Sequence, residues 1–218
     1  MKTKHKIVDG ASGDVTTKRR ARKDGERTRR AILAAATKEF SAKGFHGARV
    51  DAIARRAGVN KERLYANFGS KDGLFQETLR ACFLEIAEEE RQFLSISRDD
   101  TRSFPEKVLR SYFEIHQRRP WLWRLLAWEN LDGGKHSSIL EGVKRPVFEH
   151  LRSLHQAGQE SGLFSREISF ETLMFVLTAV SAFYHSNERT LSKTIGLNAS
   201  EPKELERLIT ETLGLIRP

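Results

Sequence analysis

The stretch Val50-Asp-Ala-Ile-Ala-Arg-Arg-Ala-Gly-Val-Asn-Lys-Glu-Arg-Leu-Tyr-Ala-Asn-Phe68 decides the fold. It reads as two short helices broken at one glycine. Ile53, Ala54 and Ala57 recur at helical spacing, Gly58 interrupts, and Leu64 with Phe68 returns the apolar side one turn apart. Ala54 is small where two crossing helices must approach closely. Gly58 can take the left-handed conformation that ends the first helix, and Val59 then reaches the core from the turn. This is the pattern of a helix-turn-helix, whose second helix lies in the major groove of DNA.

Charge supports that reading. The 218 residues carry a formal net charge of +9, unevenly placed. Residues 1–80 hold 20 Lys and Arg against 9 Asp and Glu, whereas the remainder hold 18 against 20. The basic half is therefore the half that contains the helix-turn-helix, as a polyanion-binding module requires. The segment Lys18-Arg-Arg-Ala-Arg-Lys23 lies in that half. It either follows the phosphate backbone or enters the minor groove, or else merely solubilises the chain.

Several classes are excluded. One cysteine, Cys82, permits no internal disulfide, and its place between Leu79 and Phe83 marks a buried small apolar residue. The N-terminus lacks the apolar region of a signal peptide. The longest apolar run, Leu173 to Tyr184, is too short to span a bilayer, so a cytoplasmic protein with no membrane partner is expected. No Gly-rich phosphate loop, HExxH, cysteine cluster or G-x-S-x-G is present, so no enzyme, cofactor or metal site is expected. His150 and His155 are five apart and would not share a helix face as metal ligands.

The rest of the chain reads as helices, giving an all-α fold. Residues 1–22 read as a disordered basic tail. From Thr28, Ile32, Leu33, Ala36 and Phe40 form one stripe ended by Gly44, and Phe45 packs under the helix-turn-helix. Ser70 is the expected N-cap of a helix running to about Leu94, with Leu74, Phe75, Leu79, Phe83 and Ile86 inward. Ser103-Phe-Pro-Glu106 is a further start signal. Later helices follow at Trp121–Leu131, from about Ser138 to Glu160 with a kink at Pro146, at Ser169–Ser186, and at Glu201–Ile216. Residues 23–70 thus form a three-helix DNA-binding domain. Residues 71–218 form a linking helix and a helical C-terminal bundle.

Between Thr28 and about Leu79 the chain resembles the DNA-binding domain of the TetR/AcrR family of bacterial regulators. The anchors are Ile32-Leu-x-Ala-Ala36, Phe40, Gly44-Phe45, Ile53-Ala54, Ala57-Gly-Val59, Leu64-Tyr65, Phe68, Ser70-Lys71 and Leu74. The resemblance implies a reading head, a linking fourth helix, and a C-terminal domain that dimerises and often holds a small effector. Arg49, Glu62 and Asn67 depart from the family's common residues, so operator sequence does not carry over. Beyond residue 90 the match is loose.

Sequence is read by groups that reach base edges. Asn60, Lys61 and Arg63 project near the groove-entering end of the second helix. Lys61 suits a guanine or a nearby phosphate, and Arg63 a guanine or the backbone. Glu62 either accepts from a cytosine amino group or faces solvent. Tyr65, Asn67 and Lys71 resemble the family's phosphate clamp, beside a helix N-terminus that itself favours anions. Arg49 adds a phosphate contact. Double-stranded DNA is the expected partner, because duplex RNA hides its major groove.

One head makes few phosphate contacts, so a homodimer on a pseudo-palindromic operator is expected. Leu173 to Phe183 is apolar all round and must face core on one side and a partner on the other. For a small, apolar or aromatic effector the candidate residues are Phe113, His116, Trp121, Trp128, Glu129, Phe148 and Phe175. Those aromatics equally suit a packed core, and Asn130 or His150 could also orient a ligand. Repression is the family's usual mode. Activation, an effector-free regulator and a helical RNA- or protein-interaction module remain open from the residues alone.

Overall fold

The computed structural model describes residues 12–140 and 143–216. All regular structure among them is helical. Helices α1 (Ser12–Gly47), α2 (Val50–Ala57) and α3 (Lys61–Phe68) make the head, and α4 (Lys71–Glu90) leaves it. The body contains α5 (Phe104–Arg118), α6 (Pro120–Leu131), α7 (Arg145–Glu160), α8 (Phe170–Thr194) and α9 (Pro202–Leu215). Short 3-10 turns lie at Arg91–Ser95, Arg98–Ser103 and Ser137–Leu140. No described helix is long and apolar enough to cross a membrane.

The apolar positions singled out in the sequence form the core of the head. Ile32, Ala36, Phe40, Ile53, Leu64 and Leu74 are fully buried. Gly58 caps α2 in the left-handed region at φ 68°, and the Val59 amide donates to the Ala54 carbonyl at 3.0 Å. That geometry turns the chain and delivers α3. Asn60 begins α3 as its N-cap, its side-chain oxygen accepting from the Arg63 amide at 2.8 Å. Ser70 does the same for α4 through the Gly73 amide, as expected from its position.

The structure differs from the sequence reading in several places; one is α8, which runs on to Thr194, past the expected Ser186. Helix α1 begins at Ser12, so residues 12–22 are helical and only residues 1–11 of the expected tail lie outside the described residues. From Arg19 to Arg27 the helix is exposed and apolar packing is absent. Lys and Arg are good helix formers, and ion pairs such as Arg22–Glu26 support the extension locally. Pro146 does not kink a long helix; it stands in the first turn of α7, where its missing N–H has no intrahelical partner to lose. Ser103 supplies no side-chain cap to α5, because its hydroxyl donates to the Asp100 carbonyl instead.

In the body, α5 packs chiefly on α8, while α6 lies against α1. Phe104, Leu109, Ile115, Leu125, Leu151 and Leu177 are fully buried. Cys82 is buried, and burial pushes its thiol up to about 11, so it acts as a core residue. Helix α6 is placed to touch both halves of the molecule. Its C-terminal Trp128 covers Gly44 of α1, and its N-terminal half lines a cleft in the body.

Candidate nucleic-acid interface and effector cleft

The exposed side of the head is built from α3 and the ends of its neighbours. Leu64 and Phe68 anchor α3 inward, which turns Lys61, Glu62, Arg63 and Tyr65 to solvent. Lys61 is held by the first turn of α2, its Nζ 3.0 Å from Asp51 Oδ1. The hydrogen bond and the attraction between them raise the lysine pKa and lower that of the aspartate. The Lys61 ammonium is therefore already paired within the head. Arg63 reaches back to the Thr28 hydroxyl at 3.3 Å. Glu62 faces solvent and makes no ion pair among the described residues.

The clamp residues are partly committed within the head. Asn60 spends its oxygen on the cap described above. The Asn67 amide donates to the Arg63 carbonyl one turn back, at 2.7 Å. Lys71 donates to the His46 carbonyl at 3.3 Å and lies 5.0 Å from the centre of the Phe45 ring. Burial lowers its pKa. Tyr65 is partly exposed on α3. The Arg49 amide donates to Glu39 Oε1 at 3.3 Å and its carbonyl accepts from the first turn of α2, while its exposed side chain makes no ion pair among the described residues. Glu39 is itself a buried anchor. Burial pushes its carboxyl up, but Lys43, the Arg49 amide and Arg56 outweigh burial and hold it lowered.

Several exposed cations of the head escaped the sequence reading, Lys38 among them. Arg30 and Arg55 are exposed on the head and make no ion pair among the described residues. Both belong to stretches read for their apolar stripes, and no sequence signal separates them from paired neighbours such as Arg29 and Arg56. Arg29 is turned inward to Glu77 and lies over the Phe68 ring, at 4.6 Å from its centre.

The candidate effector residues are not gathered in one place. Phe113 and His116 line a cleft of about 660 Å³ between α5, α6, the end of α8 and the start of α9. That volume suits a small organic molecule. Trp123, Tyr184 and His185 complete its aromatic floor, and Arg124 stands at its mouth. The other candidates lie elsewhere. Trp121 is half-buried against the core. Trp128 covers Gly44, and Glu129 is buried against His136. Phe148 packs on Phe170 beneath the Lys144 ammonium, and Phe175 is 72% exposed. His150 bonds the Ile96 carbonyl, and Asn130 is exposed. Spacing along a helix could not separate a ring that faces a cleft from one that faces another helix.

The cleft floor is electrically neutral. His116 is buried, with Nδ1 2.6 Å from the Ser181 hydroxyl, and burial pushes its imidazole down to about 3. Burial also lowers His185. The His116 ring centre is 3.7 Å from that of Trp123 and 5.6 Å from that of His185.

Comparison with known proteins places both halves. Residues 32–78 match the family model of bacterial regulatory proteins of the tetR family, and residues 106–216 match the tetracyclin repressor-like C-terminal domain. The HTH-type transcriptional repressor NicS of Pseudomonas putida is 31% identical over 81% of this chain and 84% of its own length. The HTH-type transcriptional regulator RutR of Escherichia coli is 34% identical over 72% of this chain and 73% of its own. In shape, a TetR family transcription regulator from Marinobacter aquaeolei aligns with a TM-score of 0.67 at 20% identity, covering 90% of this chain and 98% of that one.

Proposed function

The chain belongs to the TetR family of bacterial regulatory proteins, and from that premise we propose a homodimeric, effector-responsive repressor of transcription in the cytoplasm. Membership itself makes the chain a DNA-binding transcriptional regulator rather than an enzyme. Arg49, Asn60, Lys61, Arg63, Tyr65, Asn67 and Lys71 form the DNA face in this reading. The observation that carries it is the exposed side of α3, where Lys61, Arg63 and Tyr65 stand outward over a fully buried Leu64. Such a helix can enter a major groove without disturbing the head's core.

Dimerisation is supported by α8, where Phe175 is 72% and Phe183 is 60% exposed on a helix whose Leu173, Met174, Leu177 and Tyr184 are buried in the body. Two such rings on one monomer are costly in water and mark a surface that a second copy covers. Two heads related by a two-fold axis then read half-sites about one helical turn, roughly 34 Å, apart. The cleft holding Phe113 and His116 receives the effector. Occupying it displaces α6, which also contacts the head through Trp128, and so alters DNA affinity.

The test is fluorescence anisotropy with DNA that flanks the chain's own gene, alongside light scattering. A dimer should bind with a log–log salt slope of several units, at about −0.9 per neutralised phosphate. A slope of one or two, or a stable monomer on DNA, would count against the proposal.

A further inference from the structure

Helix α1 starts well before the head does. Its packed part begins at Thr28, yet the helix runs back to Ser12. Residues 19–27 are all exposed, and Ala21 is their only apolar side chain. The core of the head begins at Ile32 and does not include them. The segment is helical because the packed part of α1 supplies the nucleus, so each added residue need only propagate it. It leaves the head beside α3. The Arg63 guanidinium donates to the Thr28 hydroxyl at 3.3 Å, and that of Arg29 donates to the Asn67 carbonyl at 3.3 Å. The extension therefore departs from the flank of the helix that presents Lys61 and Arg63.

Its charge is of one sign. Residues 19–27 hold Arg19, Arg20, Arg22, Lys23 and Arg27 against Asp24 and Glu26. Both acids are already paired, Glu26 with Arg22 at 3.1 Å and Asp24 with Arg27 at 3.3 Å. Arg19, Arg20 and Lys23 make no ion pair among the described residues. Arg19, Lys23 and the exposed Arg30 follow at spacings of four and seven, so one face of α1 carries this charge on to the head. A segment with so little apolar surface gives a bilayer interface or an apolar groove nothing to bury. A polyanion is the partner that its charge fits. As a helix it is about 10–12 Å across with its side chains, against about 6 Å for the minor groove of DNA, so it cannot enter that groove.

We propose that residues 19–27 form a second DNA contact, a helix that lies along the phosphates beside the half-site read by α3. Arg19, Arg20 and Lys23 pair with phosphate oxygens and read no bases. From Thr28 back to Arg19 the helix spans about 14 Å at 1.5 Å per residue, or roughly four phosphates along one strand. Because the helix is formed before DNA arrives, the contact costs little ordering entropy. It adds affinity for every sequence alike and lengthens the protected site. The inference rests on the chain's being a DNA-binding regulator, and it extends the DNA face beyond α3 and the clamp residues.

The test uses the full chain and an operator duplex that the parent protein selects from a random-sequence pool. Fluorescence anisotropy across a salt series and hydroxyl-radical footprinting are read for three variants, each checked for folding by a thermal melt. Arg19→Gln/Arg20→Gln/Lys23→Gln should bind at least about tenfold more weakly and lower the log–log salt slope by about two or more, at about 0.9 per lost phosphate. Its footprint should lose protection over roughly four base pairs beside each half-site, while its preference for operator over unrelated DNA stays within about twofold. Arg98→Gln/Arg102→Gln/Arg166→Gln removes the same charge from exposed positions of the body and should keep the parent's slope and footprint. Ala21→Pro keeps the charge but breaks the helix, and should lose the flanking protection as well. A slope and footprint untouched by the first variant, or changed as much by the body variant, would overturn the contact while leaving DNA binding by α3 in place. Flanking protection that survives Ala21→Pro would overturn the helical contact in favour of an unstructured arm. A parent that selects no sequence would overturn this contact together with the DNA-binding reading.

Discussion

The Nε2 of His136 lies 3.2 Å from the Oδ1 of Asp72, joining the turn after α6 to the first turn of α4. The same imidazole meets Glu129 through Nδ1 at 3.1 Å, and the His136 amide donates to the other Glu129 oxygen at 2.6 Å. The Phe75 ring packs across it, 5.4 Å away between centres. His136 thus bolts the turn after α6 to the start of the linking helix at Asp72, the residue after Lys71. Removing the ring leaves one oxygen of the buried Glu129 carboxylate without its partner, while the backbone amide keeps the other. His136→Ala should therefore cost about 2–4 kcal/mol of stability in urea denaturation. Asp72 is largely exposed. Asp72→Asn should stay within about 1 kcal/mol of the parent, yet weaken the effect of cleft ligands on DNA affinity. An Asp72→Asn protein whose ligand response matches the parent would remove the bolt from the signalling route.

Gly44 needs to be glycine for two separate reasons. Its φ is 69°, and a Cβ there would stand 2.7 Å from the Trp128 indole. Gly44→Ala should destabilise the protein by at least about 2 kcal/mol, combining left-handed strain with overlap. In a double-mutant cycle, Trp128→Ala should relieve the overlap but not the strain, giving a coupling of about 1 kcal/mol. Strict additivity would show that the indole gives way freely.

The head was legible because its information is local. Ile53, Ala54, Gly58 and Leu64 specify two helices and a turn within twelve residues, and Ser70 announces α4. What was hidden depends on distant pairing. The capping role of Asn60 was not legible because it appears only when the Arg63 amide is in place. The pairing of Lys61 with Asp51, ten residues earlier, was hidden because only the turn brings the two together. The C-terminal aromatics gave the least. Trp121, Trp123 and Trp128 share one helix, but only Trp123 faces the cleft, and that choice is made by how α6 packs on α1 and α8. The start of α1 was missed because an exposed, charged helix has no apolar period.

Acid should reveal the buried imidazole of His116. Its folded pKa is down at about 3 against a usual 6.5, with burial the chief cause and the His185 and Lys144 charges adding to it. Between those values the unfolded chain binds the proton and the folded one does not. Stability therefore falls as pH drops from about 6.5 toward 3, the reverse of a histidine that gains an anionic partner. His116→Gln should flatten the stability curve over that window by up to about 1.4 kcal/mol per pH unit. The lowered His185 and His155 contribute with the same sign, so the informative quantity is the parent-minus-variant difference. A difference independent of pH between 4 and 6, as an order-of-magnitude window, would show that His116 takes up its proton in the folded state.

Arg49 and Asn60 should separate DNA contact from folding. Asn60 caps α3 at 2.8 Å, so Asn60→Ala should cost about 1 kcal/mol of stability. The Arg49 side chain is exposed with no ion pair among the described residues, so Arg49→Ala should leave stability within about 0.5 kcal/mol. On DNA the order reverses. Arg49→Ala should weaken binding to all sequences alike and lower the salt slope by about 0.9 per head, the signature of one lost phosphate contact. Asn60→Ala should leave that slope unchanged, because its oxygen is spent inside the protein. Its remaining amide hydrogens can still face a base edge, so relaxed sequence preference with an unchanged slope would assign Asn60 both roles. An unchanged slope for Arg49→Ala would instead remove Arg49 from the phosphate contacts and leave Lys71 and Tyr65 to carry them.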